Sequence, residues 1–166
     1  MNSTEIIIKI RKIVRSINLE SKKIEKEYGV SIPQVLCLNF LRESENFQAG
    51  QGEIKKFLNL NASTISGIIN RLEVKGLAAR LPKSGDKRVV TIALTSKGDQ
   101  LLKKIPELLQ EKLAGKLEKL DKKTLEKVKD SLELLVEMLD IDDLEAFSPQ
   151  LPESENDLSD KKSFEI

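Results

Sequence analysis

The chain has no histidine, no tryptophan, a single cysteine and few aromatic residues. Without histidine, acid–base catalysis by an imidazole is excluded. With only Cys37 left as a soft ligand, a zinc site of the usual donor types is all but excluded. One cysteine also rules out an internal disulfide and fits a reducing compartment, so a cytoplasmic location is expected. Aromatic residues make up 4% of the chain, too few for a surface that holds single strands by base stacking. Long apolar runs are missing as well. Ile6-Ile7-Ile8 is broken at once by Lys9, and the stretch from Val35 to Leu38 is far too short to span a bilayer, so no membrane association is expected. There is no glycine-rich phosphate loop, no cluster of metal ligands and no nucleophile beside a base. An enzyme is therefore not expected, nor is any cofactor.

What is present is a length of 166 residues with 39% hydrophobic and 33% charged side chains. That composition suits one helix-rich domain able to bury its own core. Its charge is unevenly placed. Residues 142–166 hold eight acids and two bases, a net −6, which leaves +7 on residues 1–141 of a chain whose total is +1. A basic body with an acidic tail is an asymmetry found in nucleic-acid binders. Prolines and acids from Asp142 onward predict a disordered tail over 142–166.

Residues 4–28 read as one long helix, with Ile6, Ile10, Ile13, Ile17 and Ile24 at helical spacing. Gly29 suits the left-handed position that ends it. Ser31 and Pro33 restart a helix that runs to about Arg42. A polar loop over 43–50 is expected next, then a short helix over 52–58. Asn61 caps a helix from Ala62 to Lys75 whose inner face is Ile65, Ile68, Ile69 and Leu72. Residues 77–81 and 88–94 read as two short strands around a turn over 82–87. Ser96 opens a helix to about Lys119, kinked at Pro106. Asp121 caps the last helix, with Leu125, Val128, Leu132, Leu135, Val136 and Leu139 in near-heptad order.

Helix, short helix, second helix and hairpin make a winged helix-turn-helix. The expected fold class is mainly α with a small β-hairpin. The winged unit is expected over 31–95, and the helices of 1–30 and 96–141 are expected to form a separate helical region whose apolar stripes either pair with a second copy, as a dimerisation region, or pack on each other. Such a motif lays its second helix in the major groove of double-stranded DNA. The outer face of that helix carries Ser63, Thr64, Ser66, Gly67, Asn70 and Arg71, largely hydroxyl, amide and guanidinium groups that hydrogen-bond base edges and phosphates. Residues 51–90 hold eight bases and three acids, a net +5. Lys83, Asp86, Lys87 and Arg88 sit at the hairpin tip. An arginine there can enter the minor groove, with Asp86 two residues away to hold its guanidinium.

The stretch "STISGIINRLEVKGLAARLPKSGDKRVVTIALTSKG" (63–98) resembles the recognition helix and wing of the MarR family of bacterial transcription regulators. The family's Leu-Glu pair, Gly, Asp-x-Arg and Leu-Thr-x-x-Gly fall here on Leu72-Glu73, Gly76, Asp86-Lys87-Arg88 and Leu94-Thr95 with Gly98. Lys87 replaces an arginine common in the family, and Gly67 offers no side chain where relatives often have a longer one. The resemblance implies a homodimer that binds a pseudo-palindromic operator as a repressor, open to release by a small-molecule effector. It also implies that the terminal helices intertwine, through Ile6, Ile10, Ile13, Ile17, Leu125, Leu132, Leu135 and Leu139. Some relatives sense oxidants through a cysteine, but the apolar run around Cys37 reads as core instead. A competing class is a helical adaptor that uses its winged helix to bind protein. The gathering of bases over 51–90 favours DNA.

Overall fold

The computed structural model describes residues 2–83, 85 and 88–147. Helix α1 spans Ser3–Tyr28. The Asn2 side chain accepts from the Glu5 N–H at 3.1 Å, and Gly29 closes the helix at φ +69°, where a side chain would be strained. Only Ile24 of α1 is buried, so this helix is anchored at its C-terminal end and leaves the body along most of its length. Helix α2, Ile32–Glu43, is the opposite case. Ser31 and Gln34 cap it reciprocally, and Val35, Leu36, Cys37, Leu38 and Leu41 are all buried.

A 3-10 turn (Glu45–Phe47) leads into β1, Gln48–Gly50, then α3, Gln51–Leu58, and α4, Ala62–Val74. Strands β2 (Ala78–Arg80) and β3 (Thr91–Leu94) follow. The sheet is antiparallel in the order β1-β3-β2, with Ala49 opposite Ile92 and Ala79 opposite Ala93. The expected fold class holds, but the sheet has three strands, because the loop predicted over 43–50 contributes β1. Three residues are too few to display alternation. The strand is made by the open edge of β3 and by Ala49, which is buried at its centre.

Helix α2 packs on α3, α4 and the sheet. Ile54, Ile65, Ile69, Leu72 and Ile92 close the core around it, each with no exposed surface. Nearly all the buried apolar side chains thus belong to residues 30–94.

The long helix expected from Ser96 is two helices, α5 (Ser96–Leu102) and α6 (Leu109–Leu117). Pro106 does more than kink it. It has no N–H and pushes Ile105 out of helical geometry. Leu108 turns into the core instead. The new helix start is satisfied by two carboxylates: Glu111 accepts from the Leu108 N–H at 2.9 Å and Glu20 of α1 from the Leu109 N–H at 2.7 Å.

At the start of α5, Gly98 lies so close to the preceding turn that a Cβ would fall 2.2 Å from the Leu77 carbonyl oxygen. Thr95 and Lys97 bind carbonyls of the same turn, at Gly76 and Lys75. Helix α7 spans Lys122–Met138. The hydrogen bonds that Thr124 donates to its cap, Asp121, hold that carboxyl below the usual carboxylate range. No residue of α6 or α7 is buried.

Asp140, at φ +54°, turns the chain back after α7. Two residues of the tail expected from Asp142 make contacts with the body. Phe147 packs against the core, and Glu145 reaches α4. The remainder of that expectation, residues 148–166, lies outside the described residues.

Candidate nucleic-acid interface

Helices α3 and α4 meet at a tight turn. Asn59 takes the left-handed conformation (φ +51°), Leu60 is buried, and the Asn61 side chain accepts from the Thr64 N–H at 2.8 Å to start α4. The inner face of α4 is apolar and buried, so its polar residues are forced to the outside.

Ser63 and Asn70 are exposed there, while Ser66, Gly67 and Arg71 are half-buried. Ser66 Oγ accepts from Gln51 Nε2 at 2.9 Å, which ties the start of α3 to the middle of α4. Arg71 folds back along its own helix: a Cβ on Gly67 would lie 3.7 Å from Arg71 Nη1. Thr64 differs from the expected outward position. It is 8% exposed, and its hydroxyl donates to Glu145 at 3.0 Å.

The hairpin is described in part. Lys83, Gly85 and Arg88 are exposed, and Gly85 sits at φ +74°. Asp86 and Lys87, and with them the expected pairing of Asp86 with Arg88, lie outside the described residues. A cleft of about 590 Å³ opens between the start of α3, α4 and the hairpin, lined among others by Gln51, Lys55, Ala62 and Arg88.

Two bases of the counted cluster serve the fold instead. Lys75 Nζ donates to the Gly29 carbonyl at 2.6 Å, where it also meets the negative end of α1. Arg80 pairs with Glu73. The described acids of this segment also make hydrogen bonds within the fold, Glu53 from an exposed position. Glu73 holds Arg80 through its guanidinium and its N–H, and Glu53 accepts from the Gly50 N–H at 2.7 Å. Lys55, Lys56, Lys83 and Arg88 are exposed.

Of the residues expected at a dimer seam, Ile6, Ile13, Ile17, Leu125, Leu132 and Leu139 are exposed, and Ile10 and Leu135 are half-buried. Cys37 is buried, and desolvation pushes its thiol up to about 12, so the reactive thiolate is scarce at neutral pH. A second cleft, of about 510 Å³, lies where α2 faces the α5–α6 break. Asn39 bridges its polar side, donating to Glu111 at 2.6 Å and accepting from Arg42 at 3.1 Å. Neither Gln51 nor Glu145 was legible as a site residue: Gln51 sits in an ordinary helix start, and Glu145 is 81 positions from Thr64.

The sequence model of the MarR family matches residues 30–90. The uncharacterized HTH-type transcriptional regulator YsmB of Bacillus subtilis is 28% identical over 109 residues, covering 66% of this chain and 73% of that protein. The HTH-type transcriptional regulator FarR of Neisseria gonorrhoeae is 38% identical over 80 residues, 48% of this chain and 53% of that protein. Among solved structures, MepR of S. aureus in its DNA complex superposes with a TM-score of 0.59 at 20% identity, covering 83% of this chain and 98% of that one. AbsC of Streptomyces coelicolor, a MarR family transcriptional regulator, gives 0.57 at 22% identity over 84% and 96%. At these identities the structural likeness establishes the fold.

Proposed function

We propose that the chain, whose residues 30–90 match the MarR family model, is a dimeric transcription repressor that reads a pseudo-palindromic operator in double-stranded DNA. The observation that carries this reading is the outer face of α4. Ser63, Asn70 and Arg71 lie on the segment that also carries exposed Lys55, Lys56, Lys83 and Arg88. A gathering of bases on the segment that carries this helix favours a nucleic acid over a protein partner.

Helix α4 enters the major groove, where Ser63, Ser66, Asn70 and Arg71 reach base edges. Gly67 lets the backbone approach. Lys83 and Lys87 contact phosphates, and Arg88, positioned by Asp86, enters the adjacent minor groove. Residues 31–95 form the reading unit, and 1–30 with 96–141 form the dimer body. The exposed isoleucines of α1 and leucines of α7 support that division, since unpartnered apolar stripes call for a second surface. A two-fold dimer matches a two-fold site. The cleft at the α5–α6 break lies between reading unit and body, so a small molecule bound there alters their relative position and releases the DNA. The protein acts in the cytoplasm and catalyses nothing. Among the described residues no helix is long and apolar enough to cross a membrane.

Selection from a randomised duplex library tests this. The parent should enrich inverted half-sites with centres about 10 base pairs apart. Asn70→Ala and Arg71→Ala should each shift base preference by about 1–3 kcal/mol. Arg88→Ala should lower affinity most on A·T-rich flanks and leave the core consensus alone. Absence of any enriched sequence would favour the adaptor.

A further inference from the structure

The start of α4 is already occupied by a carboxylate. Glu145 Oε1 accepts from the Asn61 backbone N–H at 2.8 Å, and Oε2 accepts from the Thr64 hydroxyl at 3.0 Å. Both donors belong to the first turn of the helix assigned to the major groove. A helix start concentrates unpaired N–H groups and the positive end of the backbone dipole, and DNA-binding helices commonly set a phosphate there. The chain brings its own anion to that place from more than 80 residues away.

The contact is built rather than incidental. Asp140 adopts a left-handed turn that ends α7, and the Ile141 N–H returns to the Val136 carbonyl. Two residues beyond Glu145, Phe147 inserts against the core and anchors the segment. Asp142 and Asp143 are exposed on the same segment and add negative charge to it. The sequence from Asp142 onward totals −6.

We infer that Glu145 is an internal stand-in for a DNA phosphate, and that the segment 141–147 is an autoinhibitory strap over the reading helix. The inference rests on the DNA-binding reading above. It adds that the strap and a duplex compete for one position, so the chain binds DNA only in the fraction of time that Glu145 is away. Release frees Thr64, whose hydroxyl then joins the reading face as its sequence position suggests. The charge of the strap also works against weak, non-specific association, because only a duplex that makes enough base contacts displaces it.

Equilibrium binding of the full chain to a labelled random duplex tests this, with Glu145→Ala, Phe147→Ala and Asp143→Asn compared to the parent. If the strap is closed in about nine molecules of ten, Glu145→Ala binds about tenfold more tightly. Phe147→Ala moves the same way although it keeps every charge. Asp143→Asn, which only lowers the local charge, changes affinity by about twofold at physiological salt. Without DNA, the Asn61 amide exchanges its hydrogen faster in Glu145→Ala than in the parent. A Glu145→Ala affinity no higher than that of Asp143→Asn, or an unchanged Asn61 exchange rate, overturns the strap. The two failures read differently. A parent and a Glu145→Ala variant that both bind no duplex sink the DNA-binding reading and the strap with it. A parent that binds duplex as tightly as Glu145→Ala sinks the strap alone.

Discussion

Replacing Leu132 with Glu should split the proposed dimer without unfolding the chain. Leu125, Leu132 and Leu139 are spaced by seven along α7 and are 41%, 56% and 59% exposed, one unpartnered stripe of coiled-coil periodicity. Burying a leucine completely stabilises by about 2–3 kcal/mol, so covering a half-exposed one contributes about 1.5 kcal/mol. In a two-fold dimer each residue occurs twice, and the substitution forfeits about 3 kcal/mol. Two carboxylates would also be drawn out of water near the axis, at a further cost of several kcal/mol. A total near 6 kcal/mol weakens association about 10⁴-fold, enough to turn a nanomolar dimer into a monomer at micromolar concentration. Helical content should stay as it was, because no residue of α7 is in the core. Lys127→Glu, on the opposite face of α7, makes a larger charge change and should leave the dimer intact. Light scattering reads the outcome against the chain mass of 18.7 kDa. The parent should give twice that value and Leu132→Glu the single value, with loss of operator binding. A Leu132→Glu variant that stays dimeric, or a monomer that keeps full operator affinity, refutes the seam.

Other expectations follow from the interface and the core. If each subunit neutralises about four phosphates, log affinity against log salt should have a slope near −7, and a flat dependence would remove the basic surface from the account. Gly98→Ala must force its Cβ off the Leu77 carbonyl, at a cost of about 3 kcal/mol, which lowers the thermal midpoint by about 10 °C; an unchanged midpoint would mean that the close approach is not present in solution. Cys37, with its thiol pushed to about 12 from 9.0, should react with iodoacetamide at pH 8 about 10³-fold more slowly in the native than in the urea-unfolded chain. The folded state holds that proton more tightly, so the corresponding stabilisation is present below pH 9 and is lost as pH rises from 9 towards 12. Alkylation of the native protein at the unfolded rate would put Cys37 at the surface.

Local chemistry makes most of the architecture readable in the sequence. Gly29 stops a helix through its backbone freedom, and Ser31, Asn61 and Asp121 each start one through a side-chain oxygen. What escaped depends on partners distant in sequence. Strand β1 exists because β3 offers it an edge. The break after Leu102 was hidden by a helical apolar spacing through Leu101, Ile105 and Leu108, of which Leu108 serves the core. The outer face of α4 could be listed from its period, but Thr64 could not be distinguished from Ser63. Their difference in exposure comes with Glu145, which the turn after α7 returns to the start of α4. Counting charges likewise placed Lys75 and Arg80 in the basic surface, although one holds the end of α1 and the other holds Glu73.

The junction at Gly98 has a mechanical meaning. Leu77 follows the end of α4, and Gly98 belongs to α5, yet the two backbones touch with no side chain between them. Thr95 and Lys97 fasten the same turn from the α5 side. With no soft layer to absorb a displacement, α5 cannot tilt without dragging the C-terminal end of α4. The two should therefore open together or not at all. In native-state hydrogen exchange, the amides of the last turn of α4 and of α5 should share one opening free energy, while those of α7, held by no buried side chain, exchange on their own schedule.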